Sequence, residues 1–261
     1  MQALYIASTG MAAQERNVEI ISNNIANMRT TGYKRQRAEF QDLLYQEYLR
    51  SGTQTSDSGT VAPVGIEVGS GVKTAGTPRI MSQGTVSQTE GDLDVAIQGE
   101  GFFGVQLPDG RIGYTRDGSL QRDGTGQLVN VDGYQVEPGI TIPDNANNIQ
   151  ISSDGTVQAY IGTATAPTTL GQLQLYRFVN PEGLESIGDN NFVETAASGA
   201  PQAGVPNSNG MGNVLQGYLE EANVNPVTDI ADLIAAQRAY EMNSRVISGV
   251  DDMMSSISQM R

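Results

Sequence analysis

The chain has 261 residues, long enough for one or two units with a real core, and carries 15 basic against 29 acidic side chains, a net charge of −14. It contains no Cys and no His, which excludes disulfides, thiolate and imidazole metal sites, cysteine nucleophiles and any triad or proton shuttle built on imidazole. The acidic balance gives a nucleic acid little reason to approach, and 31 glycines without any Trp favour many turns and short strands.

In chain order, the first basic residue is Arg16, so the opening lacks the charged start and long apolar core of a cleavable secretory signal. No apolar run approaches the ~20 residues of a membrane span, so no membrane insertion is expected. Leu4, Ala7, Met11, Val18, Ile21, Ile25 and Met28 recur at 3-4 spacing, interrupted at Gln14, and predict an amphipathic helix over 3–27. A basic cluster comes next, Arg29, Lys34, Arg35 and Arg37, with Phe40, Leu43, Leu44, Tyr45 and Tyr48 after it. It could meet an anionic surface, but the interleaved Glu39, Asp42 and Glu47 favour a salt-bridged packing segment. From Ser51 to Gly71 the composition turns to Gly, Ser, Thr and Val and reads as a loose connection. Val61, Val64, Ile66, Val68 and, just beyond, Val72 are more β-branched apolar residues than a solvated linker needs.

The middle changes period. Leu93, Val95 and Ile97 alternate with polar or small residues, as do Ile149 and Ile151, then Leu173 and Leu175, in the manner of half-buried strands. Asp-Gly pairs at Asp109-Gly110, Asp117-Gly118, Asp123-Gly124, Asp132-Gly133 and Asp154-Gly155 mark hairpin turns. Gly99-Glu100-Gly101-Phe102-Phe103-Gly104 satisfies the dinucleotide spacing G-x-G-x-x-G, yet the run Val105 to Gly110 behind it reads as strand and turn where pyrophosphate needs a helix N-terminus. The aspartates from Asp117 to Asp123 do not meet a twelve-residue calcium loop. Asp92 and Asp94 share one strand face, and no Trp supplies a sugar platform, so a glycosidase reading is weak. No metal, cofactor or catalytic residue is expected. A second loose stretch, Ala196 to Gly212, ends this region.

At the far end Asn225-Pro226 suits a helix start, and Leu233, Ala236, Tyr240, Asn243, Ile247, Val250, Met254 and Ile257 lay a second seam with Asn243 its one polar member. The fold class expected is α+β: a discontinuous, coiled-coil-like helical domain of 1–32 and 225–261, connecting segments 33–70 and 210–224, and an inserted all-β, hairpin-rich domain of 71–209. Residues 51–226 hold 6 basic and 19 acidic side chains, so the acidity belongs to the middle, and the near-neutral ends can approach copies of themselves. A pairing of the two helices within a monomer explains the stripes equally well.

The run Ser22-Asn23-Asn24-Ile25-Ala26-Asn27-Met28-Arg29-Thr30-Thr31-Gly32-Tyr33-Lys34 resembles the N-terminal signature of the bacterial flagellar rod and hook proteins. The segment with Asn223, Asn225 and Pro226, followed by Leu233 to Glu241, is similar to the C-terminal signature of that family, and Gly91 to Phe103 resembles its central part. Length and the opening Leu4 to Met11 look most like the distal rod members, with proximal rod or hook members the alternative. The resemblance implies a homo-oligomeric helical filament and a hollow shaft that transmits torque and passes exported proteins. It also implies export without a cleaved signal into a basal body crossing the periplasm. The partners it implies are proximal rod and hook-side axial proteins, the surrounding rings and the export apparatus. Residues 51–71 correspond in position to a rod-straightening segment. A secreted, monomeric β-rich binding module is the competing class, and it would need only the middle domain.

Overall fold

The computed structural model describes residues 2–53, 63–162 and 164–259; Val61 lies outside them, as does the side chain of Ile257. The architecture is α+β, with N- and C-terminal helices flanking a β-rich middle. The chain divides into two units: Met1–Ile25, Gln36–Pro78 and Pro226–Arg261 form one, and Ala26–Arg35 with Arg79–Asn225 form the other.

The first unit holds α1 (Gln2–Ala26) and α2 (Pro226–Gln259). Proline stands first in α2, where its missing N–H costs nothing, and Asp229 in the first turn complements the helix dipole. The same unit carries a two-stranded antiparallel ribbon. Glu39–Asp42 pairs with Val72–Gly76, and Tyr45–Leu49 pairs with Ile66–Gly69. Backbone bonds from Leu43 N to Gly71 O at 2.9 Å and from Ser70 N to Leu44 O at 3.2 Å join the two halves. Part of the stretch expected to be a loose connection is therefore strand. The ribbon lies along α1: the Tyr48 hydroxyl donates to Gln2 Oε1 at 3.2 Å, and Val72 N donates to Thr9 Oγ1 at 3.4 Å.

The second unit is antiparallel β. Its six-stranded sheet runs in the order Glu185–Gly188, Asn191–Val193, Ile112–Thr115, Phe102–Gln106, Leu175–Arg177, Gln202–Gly204, and a three-stranded sheet is built from Ala146–Ile151, Thr156–Ile161 and Thr168–Gln172. Val95–Gln98 pairs with Asn213–Gln216, and Val86–Gln88 with Tyr218–Glu220. Because neighbouring side chains on a strand face opposite ways, Phe103 and Leu175 enter an aliphatic core with Val95, Ile97, Val105 and Ile142, while Phe102 and Tyr176 enter an aromatic cluster with Tyr114, Phe178 and Phe192. Leu93 sits in a turn and Leu173 between strands, although both pack on the aliphatic core. Among the Asp-Gly pairs, Gly110, Gly133 and Gly155 take φ of 82°, 83° and 78°, whereas after Asp123 the positive φ falls on Gly126. The residues after Gly99 and Gly101 form the strand Phe102–Gln106, so no helix stands where a dinucleotide phosphate would need one.

Candidate functional site

The features with functional potential are the helix faces of the first unit and a buried charge knot in the second. In α1, Ala7 and Ile21 of the expected stripe are buried and Leu4, Met11, Val18 and Ile25 are half-buried, with Ala13, Ile20 and Asn24 buried beside them; Met28 lies beyond the helix, in the turn after it, and is exposed. In α2, Ala236 is buried, Leu233, Asn243, Ile247 and Val250 are half-buried, and Tyr240 and Met254 are exposed. Antiparallel pairing brings Asn243 against Gly10, where a Cβ would stand 2.9 Å from the Asn243 amide nitrogen. Glycine in mid-helix lowers helix propensity; here it makes room for that close approach. Further along, Glu15, Val18, Gln237, Tyr240 and Glu241 surround an opening of about 360 Å³, so the seam is unfilled there.

Other sides of α2 are apolar as well. Val227, Ile230 and Ile234 recur at 3-4 spacing, followed by Met242, Val246 and Met253, and all six are exposed, Met242 by 61 % and Val246 by 50 %. A helix whose apolar residues occupy more than one side is suited to more than one neighbour. None of these six belongs to the seam read from the sequence, because they fall outside its heptad spacing.

Asn24, part of the N-terminal signature, exchanges two hydrogen bonds with the backbone of Gln36: Asn24 Nδ2 donates to Gln36 O at 2.8 Å and Gln36 N donates to Asn24 Oδ1 at 2.9 Å. Thr30 Oγ1 donates to Asn27 Oδ1 at 3.1 Å, closing the turn after α1. Ser22, Asn23 and Ala26 are exposed, as are Asn225 and Pro226.

The rest of that signature builds the knot. Gly32 N donates to Glu220 O at 2.7 Å. Gly32 has φ 67°, and a Cβ there would lie 2.7 Å from the Arg116 backbone, so only glycine fits. Asn190 Nδ2 donates to Thr31 O at 2.6 Å, and Tyr33 is buried. Lys34 Nζ donates to Glu220 Oε1 at 2.5 Å and to Ser82 O at 2.8 Å. Arg116 Nη1 donates to Glu220 Oε2 at 3.2 Å, and Gly84 N donates to Glu220 Oε1 at 2.8 Å. The Lys34, Glu220 and Arg116 side chains are 1 %, 0 % and 5 % exposed. Asn223 completes the set: its Oδ1 accepts from Arg35 N at 2.8 Å, and its Nδ2 donates to Ile80 O at 2.7 Å. Burial pushes the Lys34 ammonium below the usual lysine range while Glu220 pulls the other way, and burial lowers the Arg116 guanidinium too.

Sequence reasoning grouped Lys34 with nearby acids. Exposed pairs of that kind do form, Arg37 with Glu39 at 2.7 Å and Arg50 with Glu47 at 2.7 Å, but Lys34 reaches across 186 residues to Glu220. Arg116 and Glu220 carried no local signal, because an ion pair distant in sequence has no periodicity. In the ribbon, Val64 and Ile66 are exposed while Val68 and Val72 are half-buried.

Comparison with known proteins matches residues 4–34 to the family described as "Flagella basal body rod protein", residues 96–159 to "Flagellar hook protein FlgE/F/G D1 domain", and residues 215–260 to "Flagellar basal body rod FlgEFG protein C-terminal". The chain is similar to the flagellar basal-body rod protein FlgG of Caulobacter vibrioides, 54 % identical over 261 residues and covering all of both chains. It is similar to proteins of that name from Agrobacterium fabrum, 49 % identical over 99 % of each chain, and Bacillus subtilis, 33 % identical over 100 % of this chain and 99 % of the relative.

Proposed function

The chain belongs to the flagellar basal-body rod family, and from that premise we propose that it builds its shaft by packing α1 and α2 against the helices of neighbouring copies. It is a structural subunit of the distal rod in the bacterial flagellum, a role that implies mechanics rather than catalysis. The helices of successive copies form a coiled-coil-like tube around an export channel, and the acidic β units form its outer wall and transmit torque. A head-to-tail contact of this kind does not close on itself and grows as an open helical filament. Proximal rod and hook-side axial proteins adjoin its ends, the rings surround it, and the export apparatus delivers its subunits across the periplasm without signal cleavage.

The observation that carries this reading is the exposure of Ile230, Ile234, Met242, Val246 and Met253 on α2, an apolar surface that a lone chain leaves in water. The ribbon supports it too, with Leu44 exposed by 88 %, Tyr48 by 64 % and Val64 by 75 %. Its role is to reach a neighbour and hold the rod straight, so removing residues 53–68 yields rods that bend.

Val246→Asp tests the helix faces. Its site is exposed in the single chain, so the purified variant keeps the wild-type melting temperature. Inside an interface the carboxylate has no partner and loses its water, so cells carrying the variant lack complete rods. Normal rods in those cells would contradict the assignment.

A further inference from the structure

Beside the charge knot the β unit opens into a cavity of about 190 Å³ whose lining includes Met81, Glu100, Phe102, Arg116, Arg177 and Phe178. Pockets that hold drug-sized ligands run from about 300 Å³ upward, so this one is the size of a single side chain. Part of its wall is aromatic: Phe102 and Phe178 meet edge to face at 5.9 Å, and Val179 beside them is 80 % exposed.

Its charge is positive. Arg116 lies 5.3 Å over the Phe102 ring and donates Nη2 to Gly99 O at 2.7 Å; its buried Nε has no partner among the described residues. Glu220 is the carboxylate paired with Arg116, and it is shared with Lys34, so two buried cations face one anion and a surplus positive charge stands at the cavity wall. Arg79 lies one ring further in, 5.4 Å over Phe192. At the mouth Arg177 Nε meets Glu100 Oε2 at 2.8 Å, but these side chains are 42 % and 68 % exposed, and such a pair is loosely held. Glu100 can swing into water and leave Arg177 free for another anion.

The β unit has eight basic and seventeen acidic residues, and four of the eight, Lys34, Arg79, Arg116 and Arg177, gather at this one place. Elsewhere its turns present aspartates: Asp109 and Asp154 are exposed and Asp123 is half-buried, and all three are held below the usual carboxylate range by backbone N–H groups that hydrogen-bond them. Copies of so acidic a unit repel unless an acidic side chain of one meets a cationic recess of the next. We propose that this cavity receives an Asp or Glu side chain from a second copy of this chain, the carboxylate on Arg177 and its short stem between Phe102 and Phe178. The proposal rests on the reading that copies assemble. A donor and a recess at different places on the unit are compatible with the head-to-tail contact that an open filament needs.

The test uses the full chain in cells and in isolated rods. Arg177→Glu reverses the charge at an exposed position, so the purified variant should melt with wild type while complete rods per cell fall at least tenfold. Arg177→Lys keeps the charge and should keep the rods. Carbodiimide treatment of Arg177→Lys rods then joins the introduced amine to whichever carboxylate touches it. The expected product is a link to an Asp or Glu lying beyond that amine's reach in its own chain. Normal rod numbers with Arg177→Glu, a link to Glu100 alone or to a different protein, or no link would overturn the proposal. Val246→Asp runs in parallel. If it blocks rods and Arg177→Glu does not, the cavity proposal falls and the helix-face reading stands; if both build normal rods, the helix-face reading falls too.

Discussion

In the β unit, Val95, Ile97, Phe103, Ile142, Leu173 and Leu175 are 0 % exposed. In the unit that holds α1 and α2, the buried apolar side chains among the described residues are Ala7, Ala13, Ile20, Ile21 and Ala236, three of them alanines. Both units show regular apolar periodicity in their sequences, so the difference lies in how much each buries by itself. Helical stability in proteins comes mostly from packing an apolar face, and α2, with 34 residues, has little to pack on. The β unit encloses a core of its own, whereas the helical unit leaves most of its large apolar side chains in water, as the proposed assembly requires.

The sharpest way to break this contrast is to damage each unit in turn. Phe103→Ala removes a large fully buried ring, and such changes cost about 3–5 kcal/mol; urea denaturation followed through the β signal should show that loss. Ile234→Asp, at a position 52 % exposed, should leave the urea midpoint unchanged. A large loss from Ile234→Asp would mean that α2 already has its partners in the single chain.

The knot sharpens the contrast from inside the β unit. Glu220→Ala leaves Lys34 and Arg116 buried without their carboxylate, and breaking a buried pair in this way costs roughly 3–5 kcal/mol. Lys34→Met leaves a one-to-one pair of Arg116 and Glu220 and should cost far less, because the knot holds one cation too many. Equal losses in the two variants, read from urea midpoints, would show that Lys34 is required for its charge. Gly32→Ala should cost about 1–3 kcal/mol for a strained φ, with contact against the Arg116 backbone in addition.

Alkaline titration gives a smaller effect with a definite shape. Lys34 is held below its ordinary 10.5 by burial, so the unfolded chain holds that proton where the folded one has lost it, and stability rises with pH through that window. Tyr114 is raised by burial from 10.0 to about 12, so above pH 10 the folded chain holds the proton that the unfolded one loses, and stability falls. The urea midpoint of the β unit should therefore climb toward pH 10 and decline beyond it. Gly10→Ala is the smallest effect: propensity alone would add about 1 kcal/mol, and the Asn243 contact should remove most of that gain from the helicity measured by circular dichroism.

Much of this was legible in the sequence, for reasons visible in particular residues. Leu4 to Ile25 lies on one helix because a 3-4 repeat has few other solutions, and Val95 to Ile97 is strand as the alternation predicts, although it is buried on both faces, Ala96 included. Leu93 and Leu173 alternate just as well yet sit outside strands, since burial requires only an inward side chain. The ribbon between Glu39 and Gly76 was hidden because its strands are mostly exposed, and an exposed strand shows no alternation. The knot was hidden because Lys34 and Glu220 are joined by topology. The same holds for Gly10, whose role depends on Asn243 at the other end of the chain.

Amide hydrogen exchange on the full chain, first dilute and then in isolated rods, tests the central contrast most directly. In dilute solution the strands Val95–Gln98 and Phe102–Gln106 should be protected to the global stability of the β unit, while α1 and α2 exchange faster by orders of magnitude. In rods the helices should become as protected as the strands. Helices already as protected as the strands in the dilute chain would contradict the account, because the helical unit would then be complete without neighbours.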